Sequence, residues 1–469
     1  MGVAVSNWRL ARAVSHLGQL GVVSGTIIGV VLARRLQQGD PGGHMRRALA
    51  HFPIPAVAER VMRSFFVEGG KAPDAAFKAV PMPGVAPSAA WTELNVAGGF
   101  AEVFLAREGH DHPVGINLLE KIQVATLASL FGAMLAGVGY VIMGAGIPRL
   151  IPGALDRFAV GEPAELKVDT EGAAPGAEAV SRFDPQAFFE GHGPAPRLER
   201  PRFIAIVSSA TLAITLARKS NGRVDGFVVE SEVAGGHNAP PRGPLQLSPA
   251  GEPVYGPRDA VDFAKIRELG LPFWRAGSRG DPEGLAAARA LGAEGIQVGT
   301  AFAFCEESGI EPHIRRQVLQ LAREGGARVF TDPLASPTGF PFKVVQAGGT
   351  LSGQAEYAAR ERICDLGYLR QAYVKEDGTL GYRCAAEPEA DWVRKGGAPA
   401  ELAGRKCLCN GLLATVGLAQ VRTEGGAELP LITAGDEVAR VARFLPPDAE
   451  TYTAADVVKH LLSPAPGAA

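Results

Sequence analysis

A closed (β/α)8 barrel of the TIM type, with helical insertions and a C-terminal cap, is the α/β fold that this sequence predicts. Three observations predict it. Short apolar runs ending in small residues recur through the first two thirds of the chain, and stretches of helical character separate most of them. The 59 glycines and 35 prolines among 469 residues are spread along the length instead of forming one low-complexity block, as many strand-to-helix turns require. Strand and helix in alternation give a parallel sheet, because each connection must cross back over the sheet. Eight such units close a barrel better than they fill an open sheet.

The eight runs are MGVAV from residue 1, LGVVSG from 20, VGINLL from 114, YVIMGAG from 140, FIAIVSS from 203, GFVVESE from 226, LPFWRAGS from 271 and GIQVGT from 295. Continuous apolar runs of this kind suit strands covered on both faces. Their spacing is uneven. Residues 36–112, with FPIPAVAERVMRSFFVEGG and the proline-rich KAVPMPGVAPS, read as a helical insertion. Residues 149–201, with GEPAELKVDTEGAAPGAEAV, read as a long excursion after the fourth run, mobile in part. DPEGLAAARALGAEG predicts a helix, from its acidic first turn, alanine-rich middle and glycine stop. The barrel with its insertions is assigned to residues 1–345 and a cysteine-containing cap to residues 346–469.

Composition excludes several functions. With 47 basic and 49 acidic residues the formal charge is −2, so no field invites nucleic acid or an anionic membrane. Hydrophobic residues make up 46%, enough for a large core. Five cysteines, an odd number, without a secretory leader predict free thiols in a reducing, cytoplasmic setting. The uncharged stretch IQVATLASLFGAMLAGVGYVIMGAGI, residues 122–147, is long enough to span a bilayer. GVGY interrupts it, so it is expected to be a small-residue helix followed by a buried strand, with no membrane span. An oligomer is left open.

In a barrel of this kind the site lies at the carboxyl ends of the strands, and the turns after the last two strands commonly hold a phosphate. Both turns are small: Gly277-Ser278 follows the seventh run, and Gln297-Val298-Gly299-Thr300 closes the eighth. Their backbone N–H groups can approach an anion, with Ser278 and Thr300 expected to add hydroxyl donors, Arg279 and Glu306-Glu307 closing the pocket. After the sixth run comes ESEVAGGHNAPPRG, residues 230–243, where Gly235 and Gly236 turn the chain ahead of His237. The sequence has no GxSxG elbow, no Walker loop and no HExxH helix, and Arg149 stands where a dinucleotide fingerprint starting at Gly144 needs its third glycine.

AGGHN at 234–238, followed by GAEGIQVGTAFAFCEES from 292, resembles the nitronate monooxygenases, formerly 2-nitropropane dioxygenases, and the related flavin-dependent enoyl-acyl-carrier-protein reductases. MGVAVSNWRLARAVSHLGQLGVVSG is similar to their opening, VGINLLEKI to their third strand and VIMGAGIP to their fourth; the likeness runs to about residue 310. The resemblance implies FMN, with Asn117 at the ring system, Glu230, Gly235 and Gly236 along its plane, Gly277 and Ser278 on one side of the phosphate and Gln297, Val298, Gly299 and Thr300 on the other. His237 matches the family's active-site histidine, and the small-molecule substrate would be an alkyl nitronate oxidised with O2 to a carbonyl compound and nitrite. The alternatives are an NAD(P)H-dependent enoyl-thioester reductase, or a flavoprotein associated with lipid or polyketide synthesis, and a non-catalytic barrel scaffold. Glu230 stands where many nitronate monooxygenases have glutamine, Asn238 and Ser278 replace small or glycine residues, and Trp274 and Arg275 bring bulk and charge to the seventh strand.

Two groups are left with open readings. TDPLASPTGFPFK, with Asp332 and Lys343, suits a lid over the site or a structured linker. Cys364, Cys384, Cys407 and Cys409 gather in the tail; no metal is assigned, with a structural zinc or iron–sulfur site set against buried reduced thiols, because Cys-Leu-Cys is not the usual ligand spacing. Cys305 is expected in the core.

Overall fold

The computed structural model describes residues 2–422 and 426–464. Seven of the eight apolar runs form strands of one parallel sheet. In chain order these are β1 (Gly21–Ser24), β2 (Val114–Leu119) and β3 (Tyr140–Gly144). Three short strands of an excursion follow, β4 (Ala164–Val168), β5 (Thr170–Glu171) and β6 (Ala179–Phe183). The wall then resumes with β7 (Arg202–Val207), β8 (Gly226–Glu230), β9 (Phe273–Ala276) and β10 (Gly295–Gln297). Its order is β1-β2-β3-β7-β8-β9-β10, every pair parallel. Sequential strands lie side by side with helices between them, the wall of an α/β barrel.

The run MGVAV is the exception. Ala4 adopts a left-handed φ of 49°, which breaks an extended strand, and residues 3–6 run as turns instead. They are tied to the barrel rim by the Ser24 N–H donating to the Ser6 carbonyl at 2.8 Å and the Gly309 N–H donating to that of Val5 at 2.8 Å.

The uncharged stretch at 122–147 becomes helix Gln123–Leu135 followed by β3. That helix is buried along nearly its whole circumference against helix Ala89–Arg107, and small residues make the fit: a Cβ on Gly132 would lie 2.0 Å from the Val96 carbonyl oxygen. Among the described residues no helix is long and apolar enough to cross a membrane. The insertion before β2 is helical, as its sequence suggests, with Ile28–Gln37, His44–Ala50, Pro55–Phe65 and Ala89–Arg107. The excursion at 149–201 is built more tightly than its glycines and prolines suggest. Its antiparallel β4–β6 pair sets Phe183 against Phe131 and Phe158, with ring centroids 4.9 and 5.6 Å away.

The C-terminal third returns to the barrel. An antiparallel ribbon, β11 (Val329–Asp332) and β12 (Phe342–Val345), leads into it. Leu408, Cys409 and Leu413 of helix Leu408–Thr415 then share one core with Val23 and Val141 of the sheet. Ile432, Val438, Tyr452 and Val457 close a second core with Leu10, Ala301 and Phe304.

Candidate active site

Strand register brings the site together. Glu230 pairs with Ala276 across β8 and β9, and Ala276 with Gln297 across β9 and β10, so these three strands end at one level. The turns that follow therefore face each other across a large cleft, about 2110 Å³ counted to its mouth. Asn117, Glu230, Gly235, Gly236, Gly277, Ser278, Gln297, Val298, Gly299 and Thr300 all line it. A second cleft of about 720 Å³ adjoins it and contains His237; Asn117, Glu230, Gly235, Gly236 and Thr433 line both.

The cradle between the two turns has room for an anion. A Cβ placed on Gly299 would meet no atom within 4 Å, so the absent side chain leaves open space in the cleft. Gly277 has φ of +100°, and a Cβ there would lie 2.2 Å from Ser231 Oγ; Ser278 after it is also left-handed, at 47°. Arg279 lines the same cleft and supplies positive charge. The Ser278 hydroxyl corrects its expected role: it donates to the Val233 carbonyl at 3.2 Å and accepts the Glu437 N–H at 3.1 Å. Thr300 Oγ1 accepts the Gly435 N–H at 2.9 Å and retains its own O–H to donate. Glu306 and Glu307 do not close the pocket either. They accept from Thr451 and from the Ala454 N–H, anchoring the last helix.

The C-terminal chain pins this rim. Glu437, almost wholly buried, accepts the Gly280 N–H at 2.9 Å and is paired with Arg443. The Gly236 N–H donates to Thr433 Oγ1 at 3.0 Å. Gly235 is glycine for the same reason: its Cβ would lie 2.7 Å from the Gly435 nitrogen, so the backbone it must accommodate is that of the C-terminal turn. Gly236, with φ of +86° and open space where a Cβ would stand, faces the clefts.

His237 is held by the β11–β12 ribbon, whose connecting loop reads as a wall of the site. The Lys343 N–H donates to the Gly236 carbonyl and the Asn238 N–H to that of Pro341, each at 2.9 Å. The imidazole packs edge-on to Phe342 at 4.8 Å, and its Nε2 is 2.7 Å from Ser336 Oγ, which in turn is 2.8 Å from Thr338 Oγ1. Burial pulls the His237 pKa down to about 3, with Lys121 adding to the effect, so the ring is neutral. Burial pushes the Glu230 carboxyl the other way, up to about 7. The arrangement joins an anion cradle, a neutral imidazole and a carboxyl that titrates in the neutral range.

Other singled-out residues lie apart. Trp274 lines the large cleft, whereas the Arg275 guanidinium is stacked over Phe263 at 4.9 Å and forms no ion pair among the described residues. Lys343 is buried, bonded to Thr331 and to Asp436 at 2.6 Å, and Asp332 caps the Leu334 and Ala335 N–H groups. Cys305 is buried, its thiol donating to the Phe302 carbonyl. Cys364, Cys384, Cys407 and Cys409 line one cavity of about 300 Å³ as free thiols. Among the described residues no group of three or more His, Cys, Asp or Glu side chains is placed to hold a metal. Sequence reading missed Thr433, whose only local sign was the small-residue run TAGDE, whereas Ser336 and Phe342 lie in TDPLASPTGFPFK, the stretch read as a lid or a linker without singling them out.

An α/β barrel whose last two strands end in small-residue turns facing one cleft, with a histidine at the adjoining cleft, is the class that fold and site define. Residues 195–331 match the nitronate monooxygenase family. It is 32% identical over 190 residues to a nitronate monooxygenase of Paraburkholderia phytofirmans, covering 38% of this chain and 47% of that protein. The chain thus spans about half the length of that curated relative. Among solved structures, a FabK mutant (M276A) from Thermotoga maritima is 17% identical with a TM-score of 0.44, covering 98% of this chain and 89% of the other. A nitroalkane oxidase from Streptomyces ansochromogenes is 15% identical with a TM-score of 0.42, covering 98% and 92%.

Proposed function

We propose that this protein is an FMN-dependent oxidoreductase of the nitronate monooxygenase type, acting on alkyl nitronates and O2 in the cytoplasm to yield a carbonyl compound and nitrite. The observation that carries the reading is the junction at Asn117, Glu230, Gly235 and Gly236, which joins the anion cradle to the cleft of His237. The cradle of Gly277, Gly299, Thr300 and Arg279 fits a phosphate, and Asn117 and Gly236 lie where a flat ring system would rest. FMN bound there would supply the redox chemistry by accepting electrons from the substrate.

The chain's own residues orient the substrate and handle its proton. A neutral His237, its ring fixed by Ser336 and Phe342, suits hydrogen bonding to a nitronate oxygen and removal of the carbon-bound proton of a neutral nitroalkane. Below about pH 7 a protonated Glu230 places no negative charge beside an anionic substrate. The β11–β12 ribbon packs against the histidine and fixes its turn.

A second reading, an NAD(P)H-dependent enoyl-thioester reductase, is favoured by one observation: position 230 is a half-buried carboxyl lining both clefts, its pKa raised to about 7, able to give a proton. One experiment separates the two. Protein purified with its flavin is mixed anaerobically with an alkyl nitronate or with NADPH or NADH, and flavin absorbance is followed. Bleaching by nitronate is the expected result, with FMN as the flavin released on denaturation. Bleaching by nicotinamide alone would overturn it in favour of the reductase. A protein that stays colourless after titration with FMN would remove both.

A further inference from the structure

The motif GRKCLCNG begins a helix that reaches the cleft of His237. Leu408, Cys409 and Leu412 line that cleft, together with Leu369 and, from the barrel, Leu118 and Ile122. All but Leu369 are buried, and none carries charge. Leu369, Leu408 and Cys409 also line a small cavity behind, so they form the partition between the two spaces. Cys409 is the smallest side chain of that partition, and burial raises its thiol well above the ordinary range, leaving a neutral, apolar surface.

We propose that this apolar alcove receives the hydrocarbon chain of the substrate, that the enzyme therefore prefers linear alkyl substrates of several carbons, and that Cys409 sets the limit of chain length. The proposal rests on the reading of the His237 cleft as the substrate site. Its physical basis is transfer of methylenes from water to an apolar wall, which improves binding by about fourfold per carbon until the alcove is full. Removing the Cys409 thiol would open the partition and join the cavity behind to the cleft. A longer side chain would shorten the usable space.

The test uses full-length protein with bound flavin and two homologous series. One is the set of primary nitronates from nitroethane to nitrodecane, read as kcat/KM. The other is the matching linear carboxylates, planar anions that are not oxidised, read as ligand-induced rise in melting temperature and converted to Kd. Both series should improve about fourfold per carbon and then level off. Cys409→Ala should move the plateau to longer chains and Cys409→Met to shorter ones. Affinity independent of chain length, or a plateau unmoved by both substitutions, would overturn the proposal. If no nitronate is turned over while the carboxylate series keeps its trend and its shifts, the activity reading fails and the alcove stands. If nitronates are turned over at a rate indifferent to chain length, the alcove falls and the activity reading stands. Should one variant fail to fold, the wild-type series and the other variant decide.

Discussion

The turns after β9 and β10 and the segment from Thr433 to Glu437 meet at one rim, but they reach it by opposite routes. The turns are set by neighbours in sequence: a strand ends, two or three small residues follow, and ladder register aligns them. The C-terminal segment arrives from more than a hundred residues away and is fixed by single bonds, Gly435 to Thr300, Glu437 to Ser278 and Gly236 to Thr433. The first region makes an open, small-residue shape in the cleft. The second holds that shape still and occupies hydroxyls that would otherwise face the cleft.

Four measurements would break or sharpen this comparison. The largest effect is expected at the histidine, in the cleft that adjoins both regions. His237→Asn should keep flavin bound, because the cradle is untouched, while turnover falls by about 10²–10⁴-fold. The fall should be greater for a neutral nitroalkane than for a preformed nitronate, which has no carbon-bound proton to lose. Near-normal steady-state rates with both would make His237 a bystander.

Gly299→Val tests the local region alone. Its side chain enters open space, so the melting temperature should change little while FMN affinity drops about ten- to a hundredfold. Unchanged affinity in a flavin titration would show that the anion sits elsewhere.

Glu437→Gln tests the distant region. It weakens a pair in which the carboxylate is buried and the Arg443 partner is only partly so, and should cost about 1–2 kcal/mol of stability in denaturant unfolding, with a smaller loss in flavin affinity. Equal losses in both would mean that the two regions act as one unit.

The smallest effect is a matter of pH. Because the Glu230 pKa is raised in the folded protein, the folded state holds its proton more tightly, and the associated stability is present in acid and lost as pH rises through about 7. For an anionic nitronate kcat/KM should fall a few-fold above about pH 7, and Glu230→Gln should abolish that inflection. His237, neutral down to about pH 3, should contribute no inflection near its ordinary value. A pH profile whose limb survives Glu230→Gln would assign the titration to another group.

Much of the site was legible from the chain. The ten cleft residues from Asn117 to Thr300 and the histidine lie within apolar runs or in the turns that follow them, where parallel topology puts functional groups, and the structure gathers them in two adjoining clefts. What misled was partner choice. Ser278 looks like an anion donor until Val233 and Glu437 claim its oxygen, and Arg275 looks like a charge near the site until Phe263 takes its face. MGVAV has the composition of a strand, but Ala4 bends it into turns.

Sequence by itself determined the seven parallel strands, the burial of residues 122–147 and the placement of the glycine turns, because strand periodicity, small-residue packing and turn chemistry act over a few neighbouring residues. Tertiary structure alone decided that Ser336 and Phe342 hold the imidazole, that Thr433–Glu437 locks the rim, and that, among the described residues, the cysteines line cavities without gathering a metal. Those outcomes depend on contacts between residues about a hundred or more positions apart for the site, and on side-chain directions for the thiols. No local pattern encodes such contacts; the seven-stranded barrel wall, whose end strands β1 and β10 do not, among the described residues, pair with each other as the closed eight-stranded barrel expected from sequence would require, and the packing of the C-terminal chain against it select them.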